Sequence, residues 1–171
     1  MIGYKIFIIT EIIIFISLFG VYFYSSIKPS IEINSIWEPR GIDKIDETSI
    51  PLINTILLIS SALIITSSHF SSNIKIKIEG MEKGIRLVLI FIILQYLEYI
   101  YSSFDITSSI YGNIFFILTG LHGLHMIIGG IWLYIDYINN LKREKENEKV
   151  ILYTHFVDIL WFFIFFFLYL L

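Results

Sequence analysis

The sequence contains no cysteine and only three prolines among its 171 residues. Without cysteine there can be no disulfide bonds, thiolate metal sites or thiol catalysis, and the redox compartment cannot be read from the sequence. Charged residues are also scarce, since they make up 16% of the chain, compared with about 25% in an ordinary soluble domain. The net charge of −3 gives no sign of the basic surface that nucleic-acid-binding proteins use. We therefore expect neither a thiol enzyme nor a nucleic-acid partner.

Hydrophobic residues are abundant, at 56% of the chain, and they are clustered in five long runs. A bilayer core about 30 Å thick needs roughly 20 apolar helical residues to cross it, and only helices satisfy the backbone of such runs internally. The first run is too long for a signal-peptide core. The sequence therefore predicts an all-α integral membrane bundle of five transmembrane helices in a single membrane domain over residues 1–171. We predict the helices at about residues 3–24, 51–70, 84–101, 111–138 and 150–171.

Lysine and arginine are distributed unequally between the two sides of this predicted bundle. Cytoplasm-facing segments carry the excess of these residues, which in a mitochondrion means the matrix side. The asymmetry predicts an N-terminus on the cytoplasm-equivalent side, which would be the matrix in a mitochondrion, and a C-terminus on the opposite side, which would there be the intermembrane space. Heavy use of isoleucine favours an A+T-rich, organellar genome. The nine cations of one side are Lys5, Lys75, Lys77, Lys83, Arg86, Lys142, Arg143, Lys145 and Lys149, and the three of the other are Lys28, Arg40 and Lys44.

Two connections between the predicted helices differ in character. Residues 142–149 mix both signs of charge, which is typical of a solvated turn, with a lipid-headgroup site as the alternative. Residues 25–49 form a longer, net acidic connection. Loops of that length tend to be functional or ordered against a partner.

Ionisable side chains inside the predicted helices are few, and each costs at least roughly 2.5–3.5 kcal/mol to insert into a membrane. Glu11 lies about 12 Å into the first helix at a rise of roughly 1.5 Å per residue. Burial disfavours the charged form of a carboxyl, so we expect Glu11 to be protonated or strongly hydrogen-bonded. It is either a proton-relay carboxyl or a neutral carboxyl that bridges two helices. The full set is Glu11, Glu98, His122, His125, His155 and Asp158, with Asp136 nearer a helix end.

The histidines form two pairs of polar residues at helical spacing. His122 and His125 are three residues apart and share a helix face, as do His155 and Asp158. Two such faces on neighbouring helices could ligate a metal or haem, or could form an interhelical hydrogen-bond network. Glycine-rich surroundings favour close helix packing with polar side chains bonded across the gap. We expect the network, with no metal.

Several short sequences resemble segments of one family. TGLHGLH at residues 119–125 resembles the T-G-F-H-G-L-H of cytochrome c oxidase subunit III, and HFVDILW at 155–161 resembles its H-F-V-D-hydrophobic-hydrophobic-W. The matches cover nearly the whole chain in the family's order. The five further matches are TEIIIF at 10–15, SSIKP at 25–29, WEPRGI at 37–42, PLINT at 51–55, and Gln95 with Glu98 and Tyr99.

The resemblance implies a non-redox core subunit of the mitochondrial complex that passes electrons from cytochrome c to oxygen and pumps protons. It implies five helices equivalent to the family's third to seventh, packed against catalytic subunit I and other oxidase subunits. Haem and copper would belong to partner subunits, and phospholipids would bind this chain. Glu11 would be the buried carboxyl of the family's third helix, and no residue here would be catalytic. The residues equivalent to the family's intramembrane polar set would be Glu98, His122, His155 and Asp158.

The chain departs from the family pattern in three places. The family's first two helices have no counterpart in the sequence, so we expect a separate polypeptide to take their place. Thr154 replaces the usual tryptophan before the histidine, and Asn139 replaces a frequent basic residue. The resemblance therefore does not extend to the lipid contacts that those groups normally make. Three alternatives remain open: subunit III of a quinol oxidase, a haem-binding membrane cytochrome, and a small transporter.

Overall fold

The computed structural model describes residues 2–29, 45–46, 48–141 and 148–170. These residues form helices and connecting turns, with no strand among them. Each of the five helices is long and apolar enough to cross a membrane, as the sequence predicts. The helices are α1 (Ile2–Ile27), α2 (Ile50–His69), α3 (Ile74–Tyr101), α4 (Ile110–Leu141) and α5 (Glu148–Ile164), which continues as a π-helix over Phe165–Leu170.

The start of α3 corrects the predicted boundary at residue 84, because the helix begins ten residues earlier at Ile74. The added segment is rich in charge, so it is not part of an apolar run. Lys75 and Glu79 approach to 3.9 Å one turn apart, and Glu82 pairs with Arg86 at the same spacing. Such pairs favour the helix where it leaves the apolar run, and hydrophobicity alone therefore underestimates its length.

The described residues fall into two compact units, and the boundary between them lies within α4. One unit comprises Met1–Ile45 and Ser102–Leu121. In it Phe104 packs against Phe115, with ring centroids 5.4 Å apart. The other unit comprises Asp46–Tyr101 and His122–Leu171 and contains the buried side chains of α2, α3 and α5.

Helices α2 and α3 form a close antiparallel pair in this second unit. Glycine makes the approach possible, because a Cβ atom at Gly84 would lie 2.5 Å from Cγ1 of Ile65, and one at Gly80 would lie 2.3 Å from Cβ of Ser68. The Ser61 hydroxyl donates a 3.3 Å hydrogen bond to the carbonyl oxygen of Gly84 across the gap. Small residues that bring two backbones together are the usual basis of helix packing in membranes.

Candidate functional site

Five of the six predicted intramembrane residues lie in the unit of Asp46–Tyr101 and His122–Leu171. Glu11 belongs to the other unit, where its side chain is half-buried. Its predicted burial and protonation in an assembly therefore stay a prediction. The five in the second unit are Glu98, His122, His125, His155 and Asp158.

His122 is fully buried in α4 and joins that helix to α5. Its Nε2 lies 3.2 Å from the carbonyl oxygen of Val157. Because a carbonyl only accepts hydrogen bonds, Nε2 carries the proton and donates it. The imidazole also contacts the rings of Phe91 and Trp161, with centroids 5.7 and 5.1 Å away. This histidine therefore links α4 to α5 by a hydrogen bond within a group of packed aromatic rings.

His155 joins α5 to α2 through Thr66. The Thr66 hydroxyl donates to the carbonyl oxygen of Ala62 at 2.7 Å, so its oxygen accepts from Nε2 of His155 at 2.8 Å. Nδ1 of the same ring lies 3.9 Å from Oδ2 of Asp158. That distance is too long for a direct hydrogen bond.

Glu98 is buried near the end of α3, among polar side chains that come from three helices. Its carboxyl lies against the Tyr169 hydroxyl and the Gln95 amide. Among the described residues, neither carboxyl oxygen has a hydrogen bond of normal geometry. Asn54 of α2 donates from Nδ2 to Oε1 of Gln95 at 3.3 Å. The cluster therefore forms a polar contact between α2, α3 and the end of α5.

His125 and Asp158 line one small cavity inside the unit. Its volume is about 10 Å³, and Ser61 and Thr154 supply the hydroxyl groups of its wall. A larger, membrane-facing groove of about 560 Å³ runs between α2 and α5 and is mainly apolar. Asp158 lines both spaces. The cavity thus brings together residues of the two polar pairs that the sequence predicts on neighbouring helices.

The residues of the polar set meet one another in pairs rather than as a cluster of ligands. Within the described ranges, no three histidine or acidic side chains come close enough to hold a metal ion. The Nε2 atoms of His122 and His155 are already engaged in hydrogen bonds. The absence of metal and haem from this chain remains a prediction.

The sequence matches the family model for cytochrome c oxidase subunit III over residues 1–171. The chain belongs to that family. Among curated members it is 41% identical to cytochrome c oxidase subunit 3 of Schizophyllum commune, covering 96% of this chain and 65% of that protein. It is 38% identical to that of Kluyveromyces lactis (strain ATCC 8585), over 95% and 64%, and 37% identical to that of Arabidopsis thaliana, over 95% and 65%. The chain spans about 65% of the length of these relatives.

The subunit III motifs lie where the polar contacts are made. TGLHGLH is in α4 and contains both His122 and His125, and HFVDILW is in α5 and contains His155, Asp158 and Trp161. The WEPRGI motif at residues 37–42 and residues 142–147 of the predicted charged turn lie outside the described residues, while Glu148 and Lys149 of that turn begin α5. Their predicted roles stay predictions.

Sequence reasoning missed the hydrogen-bonding partners supplied by α2. Thr66 accepts from His155, and Thr55 accepts from Nε1 of Trp161 at 3.0 Å. The signal was present in the spacing of the small polar residues of α2, which recur about every seven positions, two helical turns apart, on one helix face. The buried polar members of that face are Asn54, Thr55, Ser61 and Ser68.

Proposed function

We propose that this chain is a non-redox core subunit of a haem–copper terminal oxidase that transfers electrons from cytochrome c to oxygen in the mitochondrial inner membrane. Membership of the subunit III family along the whole chain carries the proposal. The fungal and plant relatives bear the name of that oxidase. On this proposal the redox centres belong to partner subunits, chiefly the catalytic subunit I, and this chain supports assembly.

The geometry of the histidines supports a structural role over haem ligation. A haem-ligating histidine presents a free ring nitrogen to a space that can hold the haem, whereas the unbonded Nδ1 of His122 is buried among the described residues. In His122 and His155 the Nε2 atom donates to another helix, at 3.2 and 2.8 Å respectively. His122 is also enclosed by Phe91 and Trp161. These contacts hold α4 and α2 against α5, so the two histidines stabilise the helix packing.

We assign the N-terminus to the matrix and the end of α5 to the intermembrane space. The excess of lysine and arginine at the junctions on one side of the helices supports this orientation. It places the start of α3 in the matrix and the connection between α3 and α4 in the intermembrane space. The Glu98 cluster then lies near the intermembrane-space end of the bundle.

Glu11 and bound phospholipid complete the proposed role. By the family resemblance, Glu11 supports proton uptake by the catalytic subunit, and lipids stabilise the contact between subunits. Glu11→Gln keeps the size and much of the hydrogen-bonding capacity of the side chain. We expect this variant to assemble normally and to inactivate faster during turnover. Unchanged proton pumping and lifetime would favour a purely structural carboxyl.

Copurification tests the proposal as a whole. An affinity tag on this chain, with mild detergent extraction from mitochondria, should recover haem–copper subunits and oxygen consumption driven by reduced cytochrome c. Oxygen consumption driven by quinol alone would identify the quinol oxidase alternative. Recovery of the chain by itself with a haem absorption spectrum would support a membrane cytochrome, and recovery alone without haem would favour a transporter.

The lack of native cysteine makes the orientation simple to test. Lys75→Cys and Thr107→Cys each introduce one thiol at an exposed position, the first at the start of α3 and the second between α3 and α4. An impermeant maleimide should label residue 107 in mitoplasts and residue 75 only after the membrane is permeabilised. The reverse pattern would invert the orientation without affecting the family assignment.

A further inference from the structure

The cavity among α2, α3, α4 and α5 is very small, and its mainly apolar wall carries four polar side chains. Its volume of about 10 Å³ corresponds to roughly one water molecule. The size excludes an acyl chain. Cavities without polar groups stay dry, whereas one that offers two to four hydrogen-bonding partners can hold an ordered water. Its polar lining comes from three helices: Ser61 of α2, His125 of α4, and Thr154 and Asp158 of α5.

The hydroxyl groups of this lining are available as acceptors. Ser61 donates its proton to the carbonyl oxygen of Gly84 at 3.3 Å, and Thr154 donates to that of Ile151 at 2.9 Å. A hydroxyl that donates once keeps lone pairs that accept. Any molecule that bonds to these two oxygens from the cavity must therefore be a hydrogen-bond donor.

Among the described residues, the Asp158 carboxyl has only a long polar contact. Its side chain is 17% exposed, and its polar contact with His155 is 3.9 Å long. Among the described residues its carboxyl makes no hydrogen bond of normal length. A mostly buried carboxyl without a hydrogen bond is costly, and more so in a helix that crosses a membrane.

We propose that this cavity binds one structural water molecule, which bridges Asp158 and His125 and donates a hydrogen bond to the hydroxyl oxygen of Thr154 or Ser61. The water would satisfy the Asp158 carboxyl and join α2, α4 and α5 at one point. Asp158 also lines the membrane-facing groove, so it is the residue shared by the two spaces. The proposal concerns the chain itself and does not depend on the oxidase assignment.

A density map at about 2 Å resolution of the native assembly that contains this chain tests the site directly. The expected result is a peak about 2.6–3.2 Å from both an Asp158 carboxyl oxygen and a ring nitrogen of His125, the normal range of a hydrogen bond. A direct hydrogen bond between His125 and Asp158 with no peak would overturn the proposal. A peak with five or six oxygen ligands would also overturn it, because it would indicate a cation.

Two substitutions at Thr154 provide a matched pair. Thr154→Val keeps the shape and removes the hydroxyl, while Thr154→Ser keeps the hydroxyl. If the water bonds to this oxygen, the valine variant should lose the chain from heated assemblies about two- to tenfold faster than the serine variant, as expected for one hydrogen bond. The peak should weaken in the valine variant and persist in the serine variant. An equally strong peak in both would show that Thr154 does not hold the water.

Asp158→Asn provides a second variant that preserves size. The asparagine oxygen still accepts a hydrogen bond, so the peak should remain in its map. Asp158→Leu should remove it, because leucine supplies no acceptor. A peak that survives in Asp158→Leu would contradict the assignment of this carboxyl as a partner of the water.

Discussion

The close pairing of α2 and α3 predicts a strong effect of one added methyl group at Gly84. In Gly84→Ala the new Cβ would lie 2.5 Å from Cγ1 and 2.9 Å from Cδ1 of Ile65. Favourable carbon contacts are about 3.5–4.0 Å long. Ile65 is 2% exposed and the cavities beside it have volumes of only about 10 Å³, so its side chain has little space into which it can turn. We expect a loss of about 1–3 kcal/mol, the usual cost of overpacking a core.

A compensating change at Ile65 separates this clash from other effects of alanine. Ile65→Ala alone should cost about 2–5 kcal/mol, because it leaves a cavity. In the double variant the nearest remaining atom of residue 65 is Cβ, 3.9 Å from the new methyl, which is an ordinary contact. The double variant should therefore be at least about 1 kcal/mol more stable than the sum of the single losses predicts.

The assay is the amount of chain that stays with the solubilised assembly as temperature rises, measured for the parent, both single variants and the double variant. Gly123→Ala is the matched control, since within the described chain nothing lies within 4 Å of the Cβ that it would add. Two results would refute the reasoning. One is a Gly84→Ala variant as stable as the control, and the other is a double variant whose loss equals the sum of the single losses.

Three further predictions concern polar contacts between helices. Thr55→Val should cost about 1–3 kcal/mol, because it leaves the buried Nε1 of Trp161 without its acceptor. Trp161→Phe should cost more than one hydrogen bond, because the smaller ring also leaves a cavity, but adding Thr55→Val to it should cost little further, since the donor is already gone; additive losses in a thermal double-mutant cycle would argue against that bond. Thr66→Val should cost about 1–3 kcal/mol, because it leaves the buried side of His155 without its acceptor; the same heating assay should show no comparable loss for Thr66→Ser. Glu98→Gln should assemble at near-normal levels, since it keeps size and an acceptor oxygen, whereas Glu98→Ala should lower the amount assembled; quantitative immunoblots of the membrane would check this, and equal levels for both variants would contradict it.

Much of the fold follows from the sequence, because the bilayer imposes the same requirement on every spanning segment. A run of about 20 apolar residues must be helical, so the five helices are predicted from composition along the chain. Hydrophobicity predicts the ends of a helix less well where the helix leaves the membrane. Five of the first ten residues of α3 are charged, and ion pairs such as Lys75–Glu79 favour the helix there. The apolar pattern also does not specify the π-helical end at Phe165–Leu170, because it does not determine which carbonyl each amide reaches.

The candidate site was predicted in its parts but not in its connections. Spacing placed His122 with His125, and His155 with Asp158, because residues three positions apart in a helix lie on the same face. It did not show that His122 donates to the backbone of α5 or that His155 donates to Thr66. Such contacts join residues 35 and 89 positions apart, and no local pattern encodes them.

The sequence by itself therefore determined the membrane class, the number of helices and the family, because these depend on hydrophobicity and short motifs that are read along the chain. Only the tertiary structure decided which polar groups satisfy one another. The glycines of α3 set its distance from α2, and that distance places Ser61 beside Gly84. The meeting of α2, α4 and α5 forms a cavity of about 10 Å³ beside Asp158. Partners of this kind depend on interhelical distances of a few ångströms, and side-chain packing rather than sequence spacing sets those distances.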